Sequence, residues 1–421
     1  MSFQQGLSGL NSATKGLDVI GNNIANASTV GFKASQAQFS DVFAASLLGA
    51  GGSKIGIGTQ LSSVAQQFTQ GNISASGNPL DVAVNGNGFF RMSENGAITY
   101  SRNGQFHIDQ AGYIVNGTNL RVTGYPVDVN GVVVPSTPVD LRINSGDIPP
   151  QVTTAMDATM NLDSRSALPV TAVFNPNDPT SYNNSTSITL YDTLGNPHLY
   201  SLYFVKTAAA NSWTVHSTMD GTPAASVNMG GGAGAGAPLT FNTSGALTTA
   251  MPIPVSVDLN AVAASLGIVN GAASPLAFNL SFSNSTQFGA KFGLSSMSQD
   301  GFTSGRLSGL SISEEGIIQG RYSNGESRNI GQIVLTNFNN PQGLNPLGDN
   351  QWSETPSSGS ATVGAPNTGS LGLLNAASLE DSNVDLTAEL VAMITMQRAY
   401  QANAQTIKTQ DSLLQTLVNL R

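Results

Sequence analysis

The sequence predicts a mainly β chain with terminal α-helices. It reads as a nested, discontinuous multidomain protein, with antiparallel β domains inserted between N- and C-terminal coiled-coil helices. Three observations predict this. Apolar residues recur at alternating three- and four-residue steps at both ends, the period of a helical seam. No Gly or Pro occurs between Val384 and Arg421, in a chain that carries 46 Gly and 19 Pro before that point. Between the ends, short alternating runs are separated by Asn-Gly steps, the strongest short-range hairpin signal.

The N-terminal seam runs through Phe3, Leu7, Leu10, Thr14, Leu17, Gly21 and Ile24. Turn chemistry from Asn26 to Gly31 predicts that the helix stops near Asn26. Lys33 is expected at the exposed end of that turn, Phe32 as its anchor, and Gly31 at a φ that other residues avoid. The C-terminal seam runs through Leu390, Met393, Gln397, Tyr400, Ala404, Ile407, Asp411, Leu414 and Val418. Ser382 is expected as N-cap, with Asp385 three residues on. At about 1.5 Å per residue such a helix would be roughly 55 Å long.

The middle is expected to be β throughout. Strand-like runs fall at 81–84, 89–92, 98–101, 106–109, 113–115 and 120–125, punctuated by Asn95-Gly96, Asn103-Gly104 and Asn116-Gly117. Further runs fall at 187–192, 199–206, 213–217, 276–282, 306–313, 317–322 and 330–338. The Gly-rich run 229–238 is expected as a flexible loop. The expected domains are 1–30 with 382–421 (helical core), 31–75 with 350–381 (extended connecting segments), 76–148 with 286–349 (shared β domain) and 149–285 (insert).

Composition excludes several classes of function. Charged residues are 10% of the chain and the formal net charge is −9, against roughly a quarter charged in an average soluble domain. The few cations are scattered, which argues against nucleic-acid binding. With no Cys there is no disulfide framework and no thiolate metal site. No cofactor is implied. His107, His198 and His216 are far apart, and His107 and His216 alternate with apolar residues as solvent-face strand residues would. The run Gly49-Ala50-Gly51-Gly52-Ser53-Lys54 lacks the Gly-Lys-Ser/Thr order of a phosphate loop. Glu314 and Glu315 point to opposite strand faces and cannot flank one bond; Glu315-Gly316 reads as a turn. The N-terminus has no positive region or apolar run of signal-peptide length, and no 18-residue apolar run occurs. Membrane insertion is not expected. The remaining choice is a cytoplasmic protein or one exported without a cleavable signal, and the absence of Cys favours the latter.

The seams carry the functional argument. A 22-residue N-terminal seam is too short to be stable alone, and it cannot cover the longer C-terminal helix. The leftover apolar stripe calls for other copies of the chain.

At this point the residues resemble the bacterial flagellar rod, hook and hook-associated axial protein family. Asn22-Asn23-Ile24-Ala25-Asn26 with Thr29-Val30-Gly31-Phe32-Lys33 is similar to its N-terminal signature. Ser382-Asn383-Val384-Asp385-Leu386 with Gln397-Arg398-Ala399-Tyr400-Gln401-Ala402-Asn403 is similar to its C-terminal signature. Gly86-Asn87-Gly88-Phe89-Phe90, Tyr100-Ser101-Arg102-Asn103-Gly104-Gln105-Phe106 and Gly124-Tyr125-Pro126 resemble its shared β domain. The large insert and Phe39-Ser40-Asp41-Val42-Phe43 resemble the hook members; distal rod members are shorter and are the nearest alternative. A secreted β-rich adhesin is a more distant one, and a cell-wall hydrolase would need paired acids that are not found.

The resemblance implies a non-enzymatic subunit of a curved extracellular tube, a flexible joint carrying torque from rod to filament. It implies Phe3, Leu7, Leu10, Leu17 and Ile24 packing with Leu390, Met393, Tyr400, Ile407, Leu414 and Val418 of the same or adjacent subunits. It also implies as partners the rod below, the hook–filament junction protein above, the hook cap and the flagellar export apparatus, with export unfolded and without signal cleavage.

Overall fold

In a computed structural model, the structure describes residues 2–42, 56–94, 96–129, 131–144, 146–222, 224–269 and 271–419. Phe43 and the Gly-rich run 49–54 lie outside these residues. The chain forms two compact units. The first comprises Met1–Ser145, Ser308–Arg321 and Ser327–Arg421; the second comprises Gly146–Leu307 and Tyr322–Glu326.

The first unit begins with helix α1 (Ser2–Ala25), followed by strands β1 (Ser35–Val42) and β2 (Gly58–Gln66), which pair antiparallel. Strand β3 (Ile73–Ala75) then pairs with Ser378–Glu380, and β4 (Val82–Asn85) with Leu373–Ala376. The chain going in is thus laddered to the chain coming out. The stretches 31–75 and 350–381 therefore hold paired strands and not merely extended connectors. The main sheet interleaves distant pieces in the order Leu307–Ile312, Ile317–Tyr322, Ser327–Ile333, Arg121–Pro126, β5 (Phe89–Glu94), β6 (Ala97–Ser101), Gln351–Ser353 and Asn345–Gly348. An aromatic cluster locks the two pieces: Phe89 meets Trp352 at 5.6 Å, and Tyr100 meets Phe338 at 4.8 Å, both edge-on. That geometry suits the ring quadrupoles. The C-terminal residues form one helix, Leu386–Asn419.

The second unit holds two sheets. One runs Val227–Asn228, Ile253–Val257, Leu276–Ser281, Ala155–Asn161 and Gly293–Gln299; the other runs Asn184–Tyr191, Pro197–Lys206, Ser212–Met219 and Ala237–Thr240. Buried and exposed residues alternate along Leu276–Ser281 and Pro197–Lys206, so each strand gives one face to the core. Tyr200 and Phe204 of one sheet meet Phe278 and Phe282 of the other at 5.3 and 6.0 Å.

Three expectations need correction here. Strand Gly293–Gln299 pairs with Ala155–Asn161 inside the second unit, so residues 286–307 go with the insert and not with the shared β domain. The middle is not wholly β. Residues Leu259–Leu266 form a helix, α2, capped by the Asp258 side chain and ended by Gly267 at φ 70°. Leu386–Asn419 is therefore α3. Finally, Ala237–Thr240 at the end of the 229–238 run is a strand paired with Ser212–Met219. Among the described residues, no helix is long and apolar enough to cross a membrane.

Candidate assembly site

The terminal helices pack antiparallel, and small residues of α1 make the contact. A Cβ built on Gly6 would lie 3.1 Å from Ile407 Cγ1, one on Gly9 2.7 Å from Asn403 Nδ2, and one on Gly16 3.2 Å from Met396 Sδ. Further along, Asn23 Nδ2 donates to Glu389 Oε1 at 2.8 Å. The covered stripe of α1 is Gly6, Ala13, Gly16, Ile20 and Asn23. Side-chain size sets how closely two helices approach, and glycine lets the backbones close in.

This stripe is offset by one residue from the apolar seam. Phe3 and Leu7 are exposed, while Leu10, Leu17 and Ile24 are half-buried. On α3, Met393 and Ile407 are half-buried and Leu390, Tyr400 and Leu414 are exposed. The side chain of Val418 lies outside the described residues. None of the described side chains of α3 is fully buried, although it spans 34 residues. Leu390 is 45% exposed, Val391 60%, Ile394 51%, Leu413 57% and Leu414 56%. Between α1, β1 and α3 lies a cleft of about 350 Å³ lined by Val19, Ile20, Phe39, Ala392 and Met396.

Where the helices meet the β structure, the family-signature residues form a hydrogen-bonded knot. Asn23 is buried; its Oδ1 accepts from Ser35 N at 2.9 Å, and its Nδ2 donates to Ser35 O at 2.8 Å. Asn26 Nδ2 donates to Asn22 O at 3.0 Å, and its Oδ1 accepts from Thr29 Oγ1 at 3.1 Å. Gly31 sits at φ 71°, and its N–H donates to Glu380 O at 2.8 Å. A side chain there would strike the Asn103 backbone at 2.7 Å. Phe32 is half-buried.

Asn383 reaches across from the returning chain. Its Oδ1 accepts from Ala34 N at 2.7 Å, and its Nδ2 donates to Gln67 O at 2.7 Å. The N-cap of α3 is Asp385 and not Ser382, because Asp385 Oδ1 accepts from Thr387 N and Ala388 N at 2.9 and 3.1 Å. Residues 382–384 stay non-helical, which leaves the Asn383 amide free to span to 67–69. Gln397 and Arg398 are exposed, and Asn403 lies against Gly9.

At the centre of the knot is an ion cluster. Lys33, expected at the surface, is 1% exposed. Its Nζ donates to Glu380 Oε1 at 2.6 Å and to Thr69 O at 2.8 Å. Arg102 Nη1 donates to Glu380 Oε2 at 3.2 Å, and its Nη2 to Gly86 O at 2.8 Å. Gly71 N also donates to Glu380 Oε1, at 2.9 Å. Burial pushes the Lys33 ammonium and the Arg102 guanidinium below their ordinary values, and Glu380 opposes both shifts. Buried charge is costly unless it is paired, and both cations are paired here, although Arg102 Nε has no hydrogen-bond partner. Here one carboxylate joins three separate chain segments. Arg102 lies inside the Tyr100–Phe106 motif, but no sequence signal linked it to Glu380, 278 residues away.

Comparison with known proteins follows the same division of the chain. Residues 3–33 match the family described as flagella basal body rod protein, and 376–420 match the flagellar basal body rod FlgEFG protein C-terminal family. Residues 83–148 match the flagellar hook protein FlgE/F/G D1 domain, and 161–302 match the flagellar basal body protein FlaE D2 domain. Each member of the ion cluster comes from a different one of the first three segments. The flagellar hook protein FlgE of Escherichia coli K12 is 43% identical over 426 residues, covering 100% of both chains. The chain belongs to the flagellar hook protein family. Other hook relatives include those of Salmonella typhimurium, 41% identical over 100% of both chains, and Borreliella burgdorferi, 34% identical over 100% of this chain and 99% of the relative. The crystal structure of Helicobacter pylori flagellar hook protein FlgE2 shares the fold, with TM-score 0.52 and 15% identity, covering 73% of this chain and 100% of that one. This hook subunit is a structural protein of the extracellular flagellum and not an enzyme.

Proposed function

We infer that copies of this hook subunit polymerise through the outward faces of α1 and α3 into a curved, flexible tube that carries torque from rod to filament. One observation carries this reading: Phe3, Leu7, Leu390, Tyr400 and Leu414 of the apolar seam stay exposed because the intrachain contact runs along the adjacent Gly-rich stripe. Phe3, Leu7, Leu10, Leu17 and Ile24 then pack with Leu390, Met393, Tyr400, Ile407, Leu414 and Val418 of the same or adjacent subunits, Ile407 meeting Gly6 within the chain. Full burial of each large apolar side chain is worth about 1.5–3 kcal/mol. The Lys33–Glu380–Arg102 cluster supports the torque reading, because it fastens both helix roots to one β structure.

The end contacts of the tube would be the rod below and the hook–filament junction protein above, with assembly under a hook cap after export through the flagellar export apparatus. The sparsely charged insert supplies weak polar contacts that neighbouring copies exchange as the tube bends. Removing residues 386–419 tests the polymer reading. The truncated protein should sediment as a folded monomer under conditions that assemble the parent. Tube formation by the truncated protein would overturn the reading. Likewise, polymers lacking 146–307 that bend like the intact polymer would remove the insert from the mechanism.

A further inference from the structure

In the second unit, His198 lies between two carboxylates. Its Nδ1 is 2.7 Å from Asp220 Oδ2, and its Nε2 is 3.3 Å from Asp192 Oδ2. The His198 side chain is 7% exposed and that of Asp192 is fully enclosed. His198 stands near the start of strand Pro197–Lys206; Asp192 follows the neighbouring strand Asn184–Tyr191, and Asp220 follows Ser212–Met219 on the other side. Both carboxylates also hold backbone. Asp192 Oδ1 accepts from Leu194 N at 2.8 Å and Asn196 N at 2.9 Å, and Asp220 Oδ1 accepts from Leu199 N at 2.7 Å.

An ionised carboxylate can only accept, so both ring nitrogens must donate, and only the doubly protonated imidazolium does this. Loss of one proton would leave a nitrogen lone pair facing a buried carboxylate oxygen. The consequence reaches beyond the turn. A Cβ on Gly195 would fall 2.6 Å from Pro150 Cβ, and Thr303 is close by, so the 192–196 turn packs against the bridged segments that enter and leave this unit.

We propose that Asp192, His198 and Asp220 form a pH-responsive latch: the charged ring pins the 192–196 turn, and loss of its proton frees that turn to open. Asp192 and Asp220 are the charged groups acting on the ring. The hydrogen bond to Asp220, against burial, and the one to Asp192 raise His198 above the ordinary histidine value. Burial would raise Asp192, but hydrogen bonds from Asn196, Leu194 and His198 hold it below the usual carboxylate range. The sign follows from linkage. The His198 contribution is fully present below its unfolded value, about 6.5, and is lost as pH rises through the higher folded value. The Asp192 contribution is lost only as pH falls through its depressed value.

The test is amide hydrogen exchange of the full-length protein, read by mass spectrometry over 191–200 from about pH 5.5 to about pH 9 and corrected for intrinsic rates. Protection of this segment should fall about tenfold through a single step whose midpoint lies above the ordinary histidine value. His198→Gln should abolish the step, and Asp220→Asn should move its midpoint to lower pH. A pH-independent profile in the parent overturns the proposal, as does an unchanged step in His198→Gln. Should that variant fail to fold, an unmoved midpoint in Asp220→Asn is the contradicting result.

Discussion

The insert and the terminal helices solve the burial problem in opposite ways. In the insert, Tyr200, Leu202, Phe204, Trp213, Leu280 and Phe282 are completely enclosed, because two facing sheets cover each other's apolar faces. On α3, no described side chain reaches that state. Both regions are poor in charge, so charge does not separate them. What separates them is whether the apolar face has a partner within the chain. The lesson is that α1 approaches α3 most closely through Gly6, Gly9 and Gly16, which leaves Phe3 and Leu7 exposed in the monomer.

Substitutions separate the two regions. The largest effect belongs to the cluster that roots both helices. Glu380→Ala leaves two buried cations without their carboxylate and should cost about 3–5 kcal/mol, measured by urea unfolding of the full chain; a loss below about 1 kcal/mol would show the cluster to be dispensable. Leu202→Ala empties part of the insert core and should cost about 2–5 kcal/mol in the same measurement, without weakening assembly of the protein that remains folded. Gly9→Leu forces a side chain into the space of Asn403. Overpacking of about 1–3 kcal/mol, offset by about 1 kcal/mol of helix propensity, should leave a small net destabilisation and a wider α1–α3 separation by spin-label distance. Leu390→Glu should change monomer stability by less than about 0.5 kcal/mol, since Leu390 is 45% exposed, yet it should block assembly in a sedimentation assay. A large loss of monomer stability in that variant would place Leu390 in an intrachain core and break the comparison.

Much of this architecture was legible in the sequence. The seams announced two terminal helices, and the strand runs between 81 and 125 appear within a few residues of their expected positions. The phase of the helix contact was not legible, because apolar periodicity marks the sticky face whereas Gly6, Gly9 and Gly16 mark the face of closest approach. Gly31 took the expected positive φ, a local property of a turn. The burial of Lys33 was hidden because Glu380 is 347 residues away in sequence. Helix α2 was missed because it has only eight residues amid strands, although Asp258 and Gly267 were capping signals in plain view. His216, expected on a solvent face, instead stacks on Phe174 at 4.3 Å. Alternation places a residue on a strand face, but does not say what else covers that face.

The proposed assembly requires neighbouring copies to cover the exposed apolar residues of the terminal helices. Because the chain has no Cys, a single Leu390→Cys substitution gives one clean thiol for maleimide labelling. Labelling should be rapid in the monomer and at least about tenfold slower in the assembled tube, as a desolvated contact requires. Equal labelling rates in monomer and tube would contradict the proposed assembly.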